Sequence, residues 1–396
     1  MIPRLKPYFD FKEIEAVFKP EENSVEKFEK EFARTFEAKY ALSFPYGRSA
    51  IYALFKCLGI EDSEIIVPAY TCVVVPHAVV LSGNIPRFVD TAPNNFNLDL
   101  EGAKKKINER TKAIIPGNIF GYPADIEELK EIKNIKKDIL IIQDCAHCVG
   151  SRWKGKLVCN EGDVALFSLN ISKYISSIFG GILTMNNEEI YKRLKDYRNK
   201  NFKKSAIWRT IKSFIYFLAT YPAFNKFFFN FFHYFDYLEG KKILGKLTQY
   251  YKEEKIDLPG DAFELMTSLE ARVGLEQLKK YPEILKKRKF IAEYYNDNLK
   301  DIPGLVLPPI VEGATYSHYV PRIKNREKVI KEMRKKGVQL GKLINYSIPY
   351  MKAYQRYKDS GFENSLKLTQ EVINLPIYPD ITLKELDHII QSLKGL

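Results

Sequence analysis

Short apolar, β-branched runs alternate with amphipathic stretches through the first two hundred residues, and this restricts the chain more than any other feature. Such alternation marks an α/β protein with a mainly parallel sheet. Ser24 to Glu37 predicts a helix with Val25, Phe28, Phe32 and Phe36 on one face. Ala50 to Leu58 predicts another, opened by Tyr46-Gly47-Arg48-Ser49. Strands are expected at Glu64 to Pro68, Pro86 to Asp90, Ala113 to Pro116 and Asp138 to Asp144. Val164 to Ser168 and Gly181 to Met185 predict two more, flanking a loop that carries Lys173.

Composition changes after residue 204. Between Phe214 and Tyr237, 13 of 24 residues are aromatic, against 13% for the whole chain. Lys212, Lys226 and Asp236 leave uncharged runs of 13 and 9 residues there, short of the roughly 20 that a membrane span needs. Pro222 is expected to break the helix. Beyond Pro259-Gly260, helices are expected at Glu270 to Tyr281 and Ile284 to Leu299, then two strands and a charged helix from Leu305 to Lys336, and a final helix from Thr382 to Leu393. The expected division is a large domain over 1–204, an aromatic-rich helical insertion over 205–258 and a smaller α+β domain over 259–396.

Sixty-two Lys+Arg against 49 Asp+Glu give a net charge of +13. The lysines are dispersed, with clusters such as Lys104-Lys105-Lys106 and Lys286-Lys287-Arg288-Lys289 in helix-like segments, where a solvated face is expected. No zinc-finger, RNP or basic-zipper pattern accompanies them, so nucleic acid is not the expected partner. Five cysteines form no disulfide framework and fit a reducing, cytoplasmic setting. The opening Met1-Ile2-Pro3-Arg4-Leu5-Lys6-Pro7 lacks the apolar core of a secretory signal.

Three features could share one site. Asp144 ends the most hydrophobic strand, where α/β sheets place ligands. Lys173, in a small-residue loop before Gly180-Gly181, could bond covalently to a cofactor aldehyde. Gly47-Arg48-Ser49 opens a helix, whose free N–H groups suit a phosphate. Singly, each is commoner as plain structure; their order and spacing make them a set. Cys145-Ala146-His147-Cys148 is formally C-x-x-C, but on the end of a buried strand it is read as coincidence, and no metal is expected.

That ordered set resembles the DegT/DnrJ/EryC1/StrS family of sugar aminotransferases, which use pyridoxal phosphate (PLP). Gly47-Arg48-Ser49-Ala50-Ile51 is similar to the family's Gly-Thr-Ala-Ala-Leu phosphate turn, and Gln143-Asp144-Cys145-Ala146-His147 to its Glu-Asp-Ala-Ala-Gln. Gly162-Asp163 through Phe167-Ser168 to Lys173 resembles its lysine segment, and Leu375-Pro376-Ile377-Tyr378-Pro379 its C-terminal signature. The resemblance implies a fold-type-I PLP enzyme with a large α/β/α domain and a smaller C-terminal α+β domain. It implies that Lys173 holds PLP and then acts as general base, that Asp144 faces the pyridine nitrogen, and that His147 lies near the ring's phenolic oxygen. It further implies that Ser168, Arg48 and Ser49 hold phosphate, Ser49 largely through its backbone N–H, with Asn170 at the ring edge. The implied reaction moves an amino group, from glutamate, to a keto-sugar nucleotide for surface-glycan synthesis, in a homodimer.

Other readings stay open. Some relatives are PLP-dependent sugar dehydratases, with His in place of the lysine; Lys173 speaks against that. A membrane-associated member acting on a lipid-linked acceptor, or as a scaffold without catalysis, is the other. Two departures from the family bear on this. Cys72 follows Thr71 where the family has an aromatic residue, and Phe263-Glu264-Leu265 stands where it has Asn-Tyr-Arg. The aromatic segment 214–237, flanked by Lys203, Lys204, Arg209, Lys212, Lys226, Lys241 and Lys242, is expected either to lie on an anionic membrane surface or to pack within the protein or a dimer interface.

Overall fold

Seven strands form the central sheet in the order β1-β9-β8-β5-β4-β2-β3 in the computed structural model, which describes residues 1–223 and 253–396. They are β1 (Tyr40–Phe44), β2 (Glu64–Pro68), β3 (Ile85–Val89), β4 (Thr111–Ile114), β5 (Leu140–Asp144), β8 (Val164–Ser168) and β9 (Gly181–Met185). A small hairpin supplies β6 (Arg152–Trp153) and β7 (Lys156–Leu157). Strands β3, β2, β4, β5 and β8 run parallel, while β9 is antiparallel to both its neighbours. Four of the six predicted strands keep at least one expected boundary to the residue. β1 was not anticipated: Tyr-Ala-Leu-Ser-Phe carries no β-branched residue, and its pairing with β9 joins residues 137 to 145 positions apart in sequence.

Helices cover both sheet faces, as buried parallel strands require. Helix α1 spans Phe11–Phe18 and α2 spans Ser24–Thr35. Three of the four predicted stripe residues, Phe28, Phe32 and Phe36, are buried, with Phe32 and Phe36 packed on Phe167 of β8, whereas Val25 is half-buried. Helix α3 (Gly47–Leu58) starts three residues earlier than predicted and takes in the whole Gly47-Arg48-Ser49 turn.

The two helices expected at Glu270 to Tyr281 and Ile284 to Leu299 are one, Ser268–Leu299, with Pro282 inside. A proline removes one N–H and crowds the preceding turn. Here buried side chains on both sides, Leu275 and Leu278 before it and Ile284 and Ile291 after it, hold the axis together. Its N-terminus is closed by a capping box between Thr267 and Glu270. Arg288 also departs from the solvated reading of its lysine-rich run. It is buried, donates to Ser317 O at 2.7 Å and lies over the Tyr174 ring.

In the C-terminal part the short strands β10 (Leu305–Val306) and β11 (Arg322–Ile323) and the helices Arg326–Lys335 and Leu383–Lys394 match expectation, whereas helix Glu363–Glu371 was not anticipated. Its core also takes in Ile2, Tyr70 and Phe120 from the first half of the chain. Pro222 lies in the last described turn of the helix Ile207–Ala223, and Phe224 to Tyr237 fall outside the described residues. On this helix, Phe217 is buried, whereas Ile207, Trp208, Ile215 and Leu218 are exposed. No helix among the described residues is long and apolar enough to cross a membrane.

Candidate active site

A cavity of about 440 Å³ opens at the C-terminal ends of β5 and β8, beside the start of α3. Of the predicted residues, Arg48, Asp144, His147, Ser168, Asn170 and Lys173 line it. Ser49 lies just behind: its side chain is fully buried, with no hydrogen-bond partner for Oγ among the described residues. Its value to the site is therefore its main chain in the first turn of α3, where N–H groups have no intrahelical acceptor. Beneath that turn, Gly181 passes so close that a Cβ on it would lie 2.4 Å from Gly47 N. This is why the chain carries small residues there.

Asp144 closes β5. Its Oδ1 accepts from Ala146 N–H at 3.0 Å, and burial raises its pKa while Lys173 pulls it back. Lys173 is held by its neighbours. Its N–H reaches Asn170 O at 3.0 Å, the next residue, Tyr174, donates to Thr315 O, and Ile175 is fully buried. Asn170 Oδ1 accepts from Ser172 N–H and Oγ–H, so that side chain shapes the lysine turn. Burial lowers the Lys173 pKa, with Cys72 and Asp144 opposing. Ile178 adopts φ 74 in the same loop, a left-handed conformation that costs a β-branched residue energy and needs its buried surroundings to persist.

His147 lies under Phe120, rings 6.0 Å apart and nearly parallel, with the His318 ring at 5.2 Å. Burial and the charge of Lys173 push His147 well below its ordinary pKa, so its imidazole is neutral at pH 7. Arg48 is buried at the start of α3, its guanidinium 5.6 Å from the Tyr46 ring and 3.4 Å from Asp257 O.

Several lining residues gave no signal in the sequence. Asn118 donates to Gln143 Oε1 and Asp144 O, tying the loop after β4 to the end of β5. Arg4 and His318 come from distant parts of the chain. Cys72, which the sequence did single out as standing where the family has an aromatic residue, lines the cavity on the Lys173 side. Phe263-Glu264-Leu265 is engaged within this chain: Phe263 and Leu265 exchange main-chain bonds with Lys203, and Glu264 accepts from Ala206 N–H. Cys145 and Cys148 are buried among apolar residues, and no group of three or more metal-ligating side chains occurs among the described residues.

The sequence profile of the DegT/DnrJ/EryC1/StrS aminotransferase family matches residues 15–224 and 240–394. The chain belongs to that family. Among relatives, the GDP-perosamine synthase of Escherichia coli O157:H7 is 24% identical over 94% of this chain and 89% of its own. Helicobacter pylori PseC, an aminotransferase in pseudoaminic acid biosynthesis, superposes with TM-score 0.79 at 20% identity over 100% and 98% of the two chains. An E. coli GDP-4-keto-6-deoxy-D-mannose-3-dehydratase with bound hydrated PLP superposes with TM-score 0.78 at 22% identity over 99% of each. The fold is thus that of fold-type-I PLP enzymes, and the protein is a PLP-dependent aminotransferase. The residues present fit that cofactor. A desolvated carboxyl and a desolvated lysine face one cavity, and a helix start with an arginine offers the anion end.

Proposed function

We propose that this protein transfers an amino group from an amino-acid donor, glutamate, to a keto-sugar nucleotide. The observation that carries the reading is the meeting of Lys173 and Asp144 in one cavity next to the α3 start. PLP, when bound, supplies an electron sink for the carbon that loses its proton. Lys173 Nζ would hold the cofactor at its aldehyde carbon, and its amine would take the proton from the donor carbon and return it to the acceptor. Asp144 would face the ring nitrogen and keep it protonated. A carboxylate and a cation in contact at ~4 Å attract by about 4 kcal/mol at an effective dielectric of 20, or roughly 3 pKa units. Arg48, Ser168 and the Ser49 N–H would hold the phosphate, and neutral His147 would lie against the phenolic oxygen. With lysine at position 173, the dehydratase reading has no support from this site.

The test supplies PLP, glutamate and a panel of keto-sugar nucleotides and follows 2-oxoglutarate. Turnover with at least one acceptor is expected. A wild type that takes up no PLP, or releases no 2-oxoglutarate with any keto-sugar, would overturn the reading.

The proposal extends to assembly. We take residues 1–204 and 259–396 as the two domains of a homodimer subunit, working in the cytoplasm. The segment 214–237 would touch an anionic membrane surface where a lipid-linked acceptor could be met. The exposed Trp208, Ile215 and Leu218 of the helix Ile207–Ala223, which follows Lys203 and Lys204 in sequence, support an interfacial placement. Salt-sensitive flotation with anionic vesicles is expected, lost when these three become Ser in a folded, PLP-loaded protein. If the wild type stays with the unbound fraction at low salt, the apolar face is an internal or dimer contact and membrane binding is wrong.

A further inference from the structure

We propose that Arg4 is a substrate-anchoring residue that takes an anionic oxygen group, either a carboxylate of the amino donor or the diphosphate of the nucleotide. The inference rests on the proposed reaction for its choice of ligands, not for its geometry. Arg4 lines the same cavity as Lys173, and its side chain makes no ion pair or hydrogen bond with the described residues. The other cations there are engaged. Lys342 pairs with both oxygens of Glu327 at 2.9 and 3.0 Å, Arg48 sits at the α3 start, and Lys173 serves the cofactor.

The arginine is held in place as a binding group would be. Ile2 N–H donates to Gly337 O at 2.8 Å and Ile2 O accepts from Gln339 N–H at 3.0 Å. Arg4 N–H donates to Gln339 Oε1 at 3.0 Å. Its stem then crosses Gly341, where a Cβ would lie 1.9 Å from Arg4 Cδ and 2.6 Å from Nε. Gly341 is itself fixed by two main-chain bonds with Asn374. Glycine at 341 therefore serves as the trough for this side chain. Arg4 is half-buried, and a partly desolvated guanidinium without a counter-ion is unfavourable, which an arriving anion relieves. Its planar fork matches two oxygens of one carboxylate or phosphate. His318 beside it, kept uncharged by burial and by the charges of Arg4 and Lys173 among others, does not compete for that anion as a second cation.

Calorimetric binding to the PLP-loaded protein tests this with two unreactive probes, glutarate and GDP. Arg4→Gln is expected to weaken one probe by at least about tenfold, the usual loss for a hydrogen-bonded charge. Arg4→Lys should fall between, and Gly341→Ala should reproduce the loss by displacing the stem. A loss confined to glutarate assigns the donor carboxylate, and one confined to GDP the diphosphate. If the wild type binds neither probe, or Arg4→Gln binds both as the wild type does, the proposal is overturned. Should Gly341→Ala not fold, the Arg4 pair decides alone. Absent turnover with probe binding intact would count against the reaction and leave the anchor standing.

Discussion

Lys173→Ala is expected to lower transamination by about 10⁴-fold or more, the upper range for removing a positioned acid–base group, with covalent attachment of the cofactor lost as well. The variant should still bind PLP without the wild type's borohydride-stable label, as mass spectrometry of the reduced protein would show. Burial adds a pH signature. It lowers the Lys173 pKa from the ordinary 10.5, and the neutral amine is the reactive form. Capture of PLP by the apoprotein should therefore rise with pH through a midpoint below that of a solvent lysine, and fail as acid protonates Nζ. A midpoint at or above 10.5, or a Lys173→Ala protein that keeps a reducible label, would remove Lys173 from its role.

For Asp144→Ala the expected loss is about 10³-fold in kcat, the equivalent of roughly 4 kcal/mol. PLP binding should be affected far less, because the anion end at α3 is untouched. Stability separates this from a structural role. Asp144 is buried with a single N–H on its Oδ1, and burial raises its pKa. With no cofactor cation opposite, burial outweighs the pull of Lys173, and that carboxyl is a cost to the folded state. Apo Asp144→Ala should therefore melt no lower than the apo wild type, while losing activity. If it melts several degrees lower and turnover per folded molecule is unchanged, Asp144 is a fold element and the assignment fails.

These two residues were legible because each sits in a local pattern: an acidic residue closing an apolar strand, and a lysine between two strands beside paired glycines. The α3 start was legible for the same reason, since Gly-Arg-Ser before an apolar helix is read without knowing the fold. Arg4 and His318 were not. They reach the cavity through pairings between the first residues and the segment 337–341, or across the Phe120 and His147 rings. Local periodicity carries no trace of such contacts. Strand β1 escaped because pairing with β9 makes it a strand, whatever its weak propensity. Pro282 misled in the opposite sense: local chemistry predicted a break that packing along Ser268–Leu299 overrides.

That same long helix sets a timetable for the chain as it is made. Its residues close over the opening helices: Arg272 caps the Ala16 and Val17 carbonyls, Gln277 reaches Tyr8 O, and Lys280 pairs with the fully buried Glu13. Glu13 and Lys280 are 267 positions apart. At ~5–20 residues per second a ribosome needs about 13–53 s to cover that distance. For most of a minute at the slower rate, the first helices and the stripe of Phe28, Phe32 and Phe36 stand without their cover. Chaperone dependence during synthesis should therefore fall once translation passes the end of this helix, long before the final residues emerge.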